Sequence, residues 1–258
     1  MTRARSMVEQ VAARCRADER IVAALTYGSV VQGLDDDFSD AEFWLFTTAE
    51  NADWERWIHD LGPVQHVIEN EFGALVAFLP GGFRCEFHIR PATAIPEVML
   101  WPGRSAATRD MVLTDDSGEL TAALATLPHH PPAEPAAAVC GRFLNWWLLG
   151  WNVLQRGEYE RAVDALSHVR RHLLWMARLR HGATRRWLTP SRLAENDLPA
   201  GDLSALSRLT ADPRTALATA WQLGRQWSTD LGCAPPEALR RDIEALLTGS
   251  PPPPPSAG

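Results

Sequence analysis

Residues Thr26–Phe46 read TYGSVVQGLDDDFSDAEFWLF. Two apolar runs, Ile21–Tyr27 (IVAALTY) and Ala41–Thr47 (AEFWLFT), surround a Gly-Ser turn and a cluster of acids, Asp35, Asp36, Asp37, Asp40 and Glu42. Both runs are short and bounded by turn residues, which predicts buried strands. In a strand, residues two apart share a face, so Asp40 and Glu42 would project side by side with Cα atoms about 6.5–7 Å apart. Two such carboxylates repel each other and lose hydration, and a Mg²⁺ ion between them removes both penalties. Gly28-Ser29 closes the preceding strand as a tight turn, where backbone N–H groups and the Ser29 hydroxyl can approach an anion. Glu86, in FRCEFHI, becomes a third acid if its strand lies beside that of Asp40, and His88 then shares its face. Acids alternating along an edge strand are commonly only a solvated face. The joint pattern of Gly-Ser, Asp-x-Glu and a later strand acid favours a metal and phosphate site. Asp35–Asp37 sit on no predicted strand and read as a solvated loop.

Outward from this stretch, Asp53–Leu61 has helical spacing. Val64–Ile68, Ala74–Leu79 and Phe83–Ile89 read as further strands, separated by Gly62-Pro63, Gly73 and Pro80-Gly81-Gly82. After the Pro-rich LPHHPPAEPAAA the character changes. Phe143–Gln155, Tyr159–Leu179, Arg214–Leu231 and Pro236–Leu247 are long, apolar-periodic segments, predicting a helix bundle. The fold class expected is therefore α+β. A mixed-sheet domain (1–127) leads through a linker (128–138) to an all-α bundle (139–249), and a run of prolines forms an extended tail (250–258).

With 258 residues, of which 46% are hydrophobic, two domains can each bury a core. The first twenty residues are too charged for a signal peptide, and no apolar run is long enough to span a membrane, so a soluble cytoplasmic protein is expected. The net charge of −7 argues against nonspecific nucleic-acid binding and suits a small cationic substrate. Cys15, Cys85, Cys140 and Cys233 are widely spaced and read as reduced structural thiols. His129-His130 has no third ligand at metal spacing and reads as part of a solvated connection. Trp146, Trp147 and Trp151 cover more than one stripe of their helix. Core packing is the simpler reading, with an apolar ligand or a dimer mate as the other.

Gly28-Ser29, Asp40-x-Glu42 and Glu86 resemble the signature of the nucleotidyltransferase superfamily. YGSVVQGLDDDFSDAEFWLF, RCEFHIRP and FLNWWLLGWNVLQRGEYERAVDALSHVRRHLLWMARL resemble more narrowly the lincosamide nucleotidyltransferases with a helical C-terminal domain. The resemblance spans roughly Asp18 to Leu179. It implies a nucleotidyltransferase-type sheet domain, a homodimer, and adenylyl transfer from ATP to a hydroxyl of lincomycin or clindamycin. Asp40 and Glu42 would then bind Mg²⁺, and Gly28 and Ser29 would hold the terminal phosphates. Glu86 is either the general base or a further metal ligand. His88 can orient Glu86 or be merely structural. Arg156, ending the Trp-rich helix, can reach a nucleotide phosphate or simply satisfy the helix C-terminus. An aminoglycoside acceptor, an antitoxin-like partner-modifying protein and a noncatalytic binding protein are the alternatives.

Overall fold

The computed structural model describes residues 1–49, 51–210 and 212–248; the expected tail, 250–258, lies outside them. The chain divides into two compact units, Met1–Pro131 and Pro132–Gly258. The division falls inside the Pro-rich stretch, and the first long helix after it already begins at Ala136.

The first unit is a six-stranded mixed sheet. Its strands are β1 (Ile21–Tyr27), β2 (Ala41–Thr47), β3 (His66–Glu69), β4 (Leu75–Leu79), β5 (Phe83–Pro91) and β6 (Val112–Asp115), in the order β3-β4-β5-β2-β1-β6. All neighbours are antiparallel except β2 and β5, which run parallel. Period-two alternation divides the side chains between two faces. Phe43, Leu45, Cys85 and Phe87 pack with α1 (Arg3–Ala17) and α2 (Trp54–His59) on one face. The Phe43 and Phe87 rings stack there with centroids 5.0 Å apart, worth about 0.5–1.5 kcal/mol beyond area burial. Leu25 and Phe46 turn to the other face, against a 3-10 stretch (Ala92–Leu100), α3 (Thr108–Met111) and α4 (Glu119–Ala125). Side-chain caps start the helices: Thr2 accepts from Arg5 N in α1, and Asp53 accepts from Arg56 N in α2.

The second unit is a helical bundle. It contains α5 (Ala136–Gln155), α6 (Tyr159–Arg180), α7 (Ala194–Asp197), α8 (Ala200–Ser207), α9 (Pro213–Asp230) and α10 (Glu237–Thr248). Trp147 and Trp151 are buried in its core, which decides for packing over ligand contact, and Trp147 Nε1–H donates to the Leu217 carbonyl at 2.7 Å. Trp146 remains half-buried and stacks on His168. Arg178, fully buried, donates to the carbonyls of Pro190, Ala183 and Arg192 and to Asp197, so its charge is paired and its donors are used. The expectation of four reduced cysteines holds for Cys15 and Cys85 and fails for the other two. Cys140 of α5 is joined by a disulfide to Cys233, which follows α9, with Cα atoms 6.6 Å apart. Burial pushes the thiols of Cys15 and Cys85 up to about 12, so both remain protonated.

Candidate active site

The β1–β2 and β2–β5 registers place Tyr27, Glu42 and Glu86 in one row across three strands, Tyr27 opposite Glu42 and Glu42 opposite Glu86. The strand of Glu86 is thus beside that of Glu42. Asp40 differs from the simplest reading, because β2 begins at Ala41 and Asp40 stands just before it. Gly28 follows β1 with φ +80°, a conformation open to glycine at little cost. A second constraint acts at the same residue: the space a Cβ would need there is taken by Glu42 Oε2. The turn then closes through hydrogen bonds from Gln32 N and Leu34 N to the Ser29 carbonyl, at 3.2 and 3.0 Å. Ser29 is 8% exposed, and its buried hydroxyl has no hydrogen-bond partner among the described residues.

The acids are not left as a bare repulsive pair. Arg84, two residues before Glu86 on the same face of β5, bridges Asp40 (Nη1 to Oδ2, 2.6 Å) and Glu86 Oε2. Burial opposes its charge, yet Glu86 and Asp40 outweigh burial and raise the guanidinium pKa. Arg84 was not among the expected site residues; the alternation Arg84, Glu86, His88 along one strand face was the available signal. The other Glu86 oxygen, Oε1, lies 3.0 Å from His88 Nε2, and the Tyr27 hydroxyl lies 3.1 Å from the same nitrogen. A carboxylate oxygen accepts, so Nε2 carries the proton and donates to Glu86. Burial lowers the His88 pKa, with Arg84 and Arg90 acting the same way against Glu86, so the ring is neutral at pH 7. Trp44 fixes the ring plane, stacked on it at 4.3 Å and 10°. Burial, and then Glu42, Glu86 and Asp40, push the Tyr27 phenol upward and keep it protonated.

Three carboxylates face one guanidinium here, so the cluster keeps a negative balance that suits a divalent cation. Its donors are oxygens, the hard ligands that Mg²⁺ takes, and the unpartnered Ser29 hydroxyl beside the turn offers a donor to phosphate. The residues therefore fit a magnesium–nucleotide group in their chemistry. As they stand, no three His, Cys, Asp or Glu side chains among the described residues are close enough to hold a metal ion; Arg84 stands between Asp40 and Glu86.

The remaining candidates lie elsewhere. Arg156 caps α5 within the helical unit and pairs with Glu158 at 2.8 Å, the placement that a helix C-terminus favours. Asp35 is not solvated as expected. Its side chain is 2% exposed and accepts from Arg5 and Thr2, and these bonds lower its pKa against the opposing and larger single effect of burial. Asp36 accepts from Phe38 N and Ser39 and shapes its own turn.

Residues 133–244 match the family described as "Lincosamide nucleotidyltransferase-like, C-terminal domain". Among solved structures, the chain is similar to an aminoglycoside 6-adenyltransferase from Bacillus subtilis, at 13% identity and a TM-score of 0.41, covering 95% of this chain and 96% of that one. It is also similar to a nucleotidyltransferase-like protein from Exiguobacterium sibiricum 255-15, at 15% identity and a TM-score of 0.37, covering 89% and 76%. A Thermotoga maritima CCA-adding enzyme complexed with tRNA gives 11% identity and a TM-score of 0.35, covering 94% and 73%. Likenesses this distant transfer no activity. No curated protein gives a significant sequence match.

Proposed function

We propose that the chain is a nucleotidyltransferase that moves AMP from ATP to a hydroxyl of a lincosamide antibiotic. The observation that supports it most is the juxtaposition of Glu42 and Glu86 on paired strands, Asp40 at the strand entry, and the Gly28-Ser29 turn with its buried, unpartnered hydroxyl. The lincosamide acceptor is supported by the family of the helical unit. Mg²⁺, held by Asp40 and Glu42, would supply the charge that neutralises the triphosphate.

The chain's own residues have separate tasks in this reading. The Gly28 turn and Ser29 bind the terminal phosphates. The acceptor hydroxyl oxygen bonds to the α-phosphorus, the bond from that phosphorus to the bridging oxygen breaks, and pyrophosphate leaves with the electron pair. The hydroxyl proton passes to Glu86. Both Glu86 oxygens already accept hydrogen bonds, from Arg84 and His88, and each keeps a further lone pair with which the carboxylate can take the hydroxyl proton. His88, stacked on Trp44, orients the carboxylate throughout. A symmetric homodimer belongs to the same proposal, and sedimentation at assay concentration tests it.

The functional test incubates the protein with ATP and Mg²⁺ against lincomycin, clindamycin and an aminoglycoside, with mass detection of the product. A mono-adenylylated lincosamide plus pyrophosphate is expected, absent with Asp40→Asn or Glu42→Gln. Modification of the aminoglycoside alone overturns the acceptor; no adduct on any acceptor and no binding of ATP overturn the nucleotidyltransferase reading.

A further inference from the structure

Arg84 stands between two acids that have different tasks. Its guanidinium donates from Nη1 to Asp40 Oδ2 at 2.6 Å and from Nη2 to Glu86 Oε2. In the reading above, Asp40 holds the metal and Glu86 takes the proton of the attacking hydroxyl. The phosphoryl group under transfer has to meet both the metal and the attacking oxygen. It therefore has to enter the space that the guanidinium spans. The turn for the rest of the triphosphate is near: a Cβ at Gly28 would meet Glu42 Oε2, and Glu42 lies opposite Glu86. Two strand spacings, about 10 Å, separate β1 from β5. The Arg84 side chain is 37% exposed and that of Glu86 13%, so the arginine is the partner with room to turn. Glu86 does not depend on it for its position, because His88 holds the other carboxylate oxygen at 3.0 Å.

We propose that Arg84 is a ligand of the transferred phosphoryl group: it pairs with Asp40 and Glu86 before substrate binds and passes to the α-phosphate oxygens when the metal–nucleotide arrives. This inference rests on the nucleotidyltransferase reading and deepens it. Charge drives the exchange. Once Asp40 is engaged by a divalent cation, the guanidinium loses the carboxylate that balanced it and gains a like charge as neighbour. The α-phosphate offers two non-bridging oxygens that the arginine fork can meet with two parallel N–H bonds. The guanidinium stays charged throughout, so the exchange moves no proton. At its new position it faces the oxygens over which charge spreads during transfer.

Calorimetric titration of wild type, Arg84→Met and Arg84→Lys with ATP at saturating Mn²⁺, and separately with adenosine, tests it. Arg84→Met should weaken ATP about tenfold or more, the loss of charge-assisted bonds to phosphate. Arg84→Lys keeps the charge without the fork and should weaken ATP about threefold. Adenosine, which has no phosphate, should bind all three proteins alike, which also shows that the variants are folded. A residue that only holds the two acids apart gives the opposite sign, because its removal frees them for the cation and leaves ATP bound at least as tightly. ATP affinity in Arg84→Met equal to or above that of wild type therefore overturns the inference alone, as does an equal loss of ATP and adenosine. Arg84→Lys binding ATP as wild type does would reduce Arg84 to a distant charge and overturn it too. A wild-type protein that binds neither ATP nor adenosine overturns the nucleotidyltransferase reading, and this inference with it.

Discussion

Arg84 supplies the positive charge that Asp40 and Glu86 share, and it does so from the strand that carries Glu86 itself. Neutralising the acids by removing Asp40 would therefore break an ion pair rather than relieve a repulsion. Replacing Arg84 has the opposite effects on metal and on stability. In Arg84→Met the metal-free protein loses a partly exposed bridge and its melting temperature falls. A divalent cation then no longer competes with the guanidinium, and Mn²⁺ should bind about fivefold more tightly, the equivalent of about 1 kcal/mol. Calorimetric titration of Mn²⁺ into wild type, Arg84→Met and Arg84→Lys checks this, with the Lys variant close to wild type. Unchanged Mn²⁺ affinity in Arg84→Met would make Arg84 a purely structural residue.

At the scale of elements, the contact between α5 and α9 depends on a missing side chain. Gly224 sits inside α9, where helix propensity alone would favour alanine by about 1 kcal/mol. Its Cβ position, however, is filled by the ring of Phe143. Overpacking of this kind costs about 1–3 kcal/mol, so Gly224→Ala should lower stability in urea despite the propensity gain. Adding Phe143→Leu should return part of the loss, and additive losses would place the clash elsewhere. Within α6, buried His172 donates from Nδ1 to the His168 carbonyl at 2.8 Å, and burial lowers its pKa, with Arg142 adding to the effect. The unfolded chain binds the proton first as pH falls below about 6.5. Stability is therefore complete above that pH and declines toward the lower folded-state pKa. His172→Gln should flatten this decline between pH 7.5 and 5.5 in urea titrations; an equally steep decline in the variant would assign it to other groups.

For the whole molecule, each unit has its own hydrophobic core: the two faces of the sheet in Met1–Pro131, and the Trp-rich bundle in Pro132–Gly258. Each half produced separately should therefore melt cooperatively. All the expected metal and phosphate residues except Arg156 lie in the first unit. Mg²⁺–ATP at about one hundred times its dissociation constant should stabilise residues 1–131 by about 2.7 kcal/mol and leave the helical half unmoved. Stabilisation of the helical half by the nucleotide would move that site. No helix among the described residues is long and apolar enough to cross a membrane.

The sequence by itself determined the α+β class, the strands β1 to β5, the helix α2, the long helices and the face shared by Glu86 and His88. Each of these is encoded within about ten residues by periodicity and turn chemistry. α1 was absent from the expectations although its buried Ala4, Met7, Val11 and Cys15 recur at helical spacing between the arginines; β6 was not legible, because four residues carry too little pattern. Tertiary structure alone decided the rest. The parallel register that sets Glu42 opposite Glu86, the pairing of Asp35 with Arg5 thirty residues away, the disulfide across 93 residues and the Arg84 bridge to Asp40 all join distant segments. Their partners are selected by which surfaces meet after the chain closes on itself, and no local pattern carries that information.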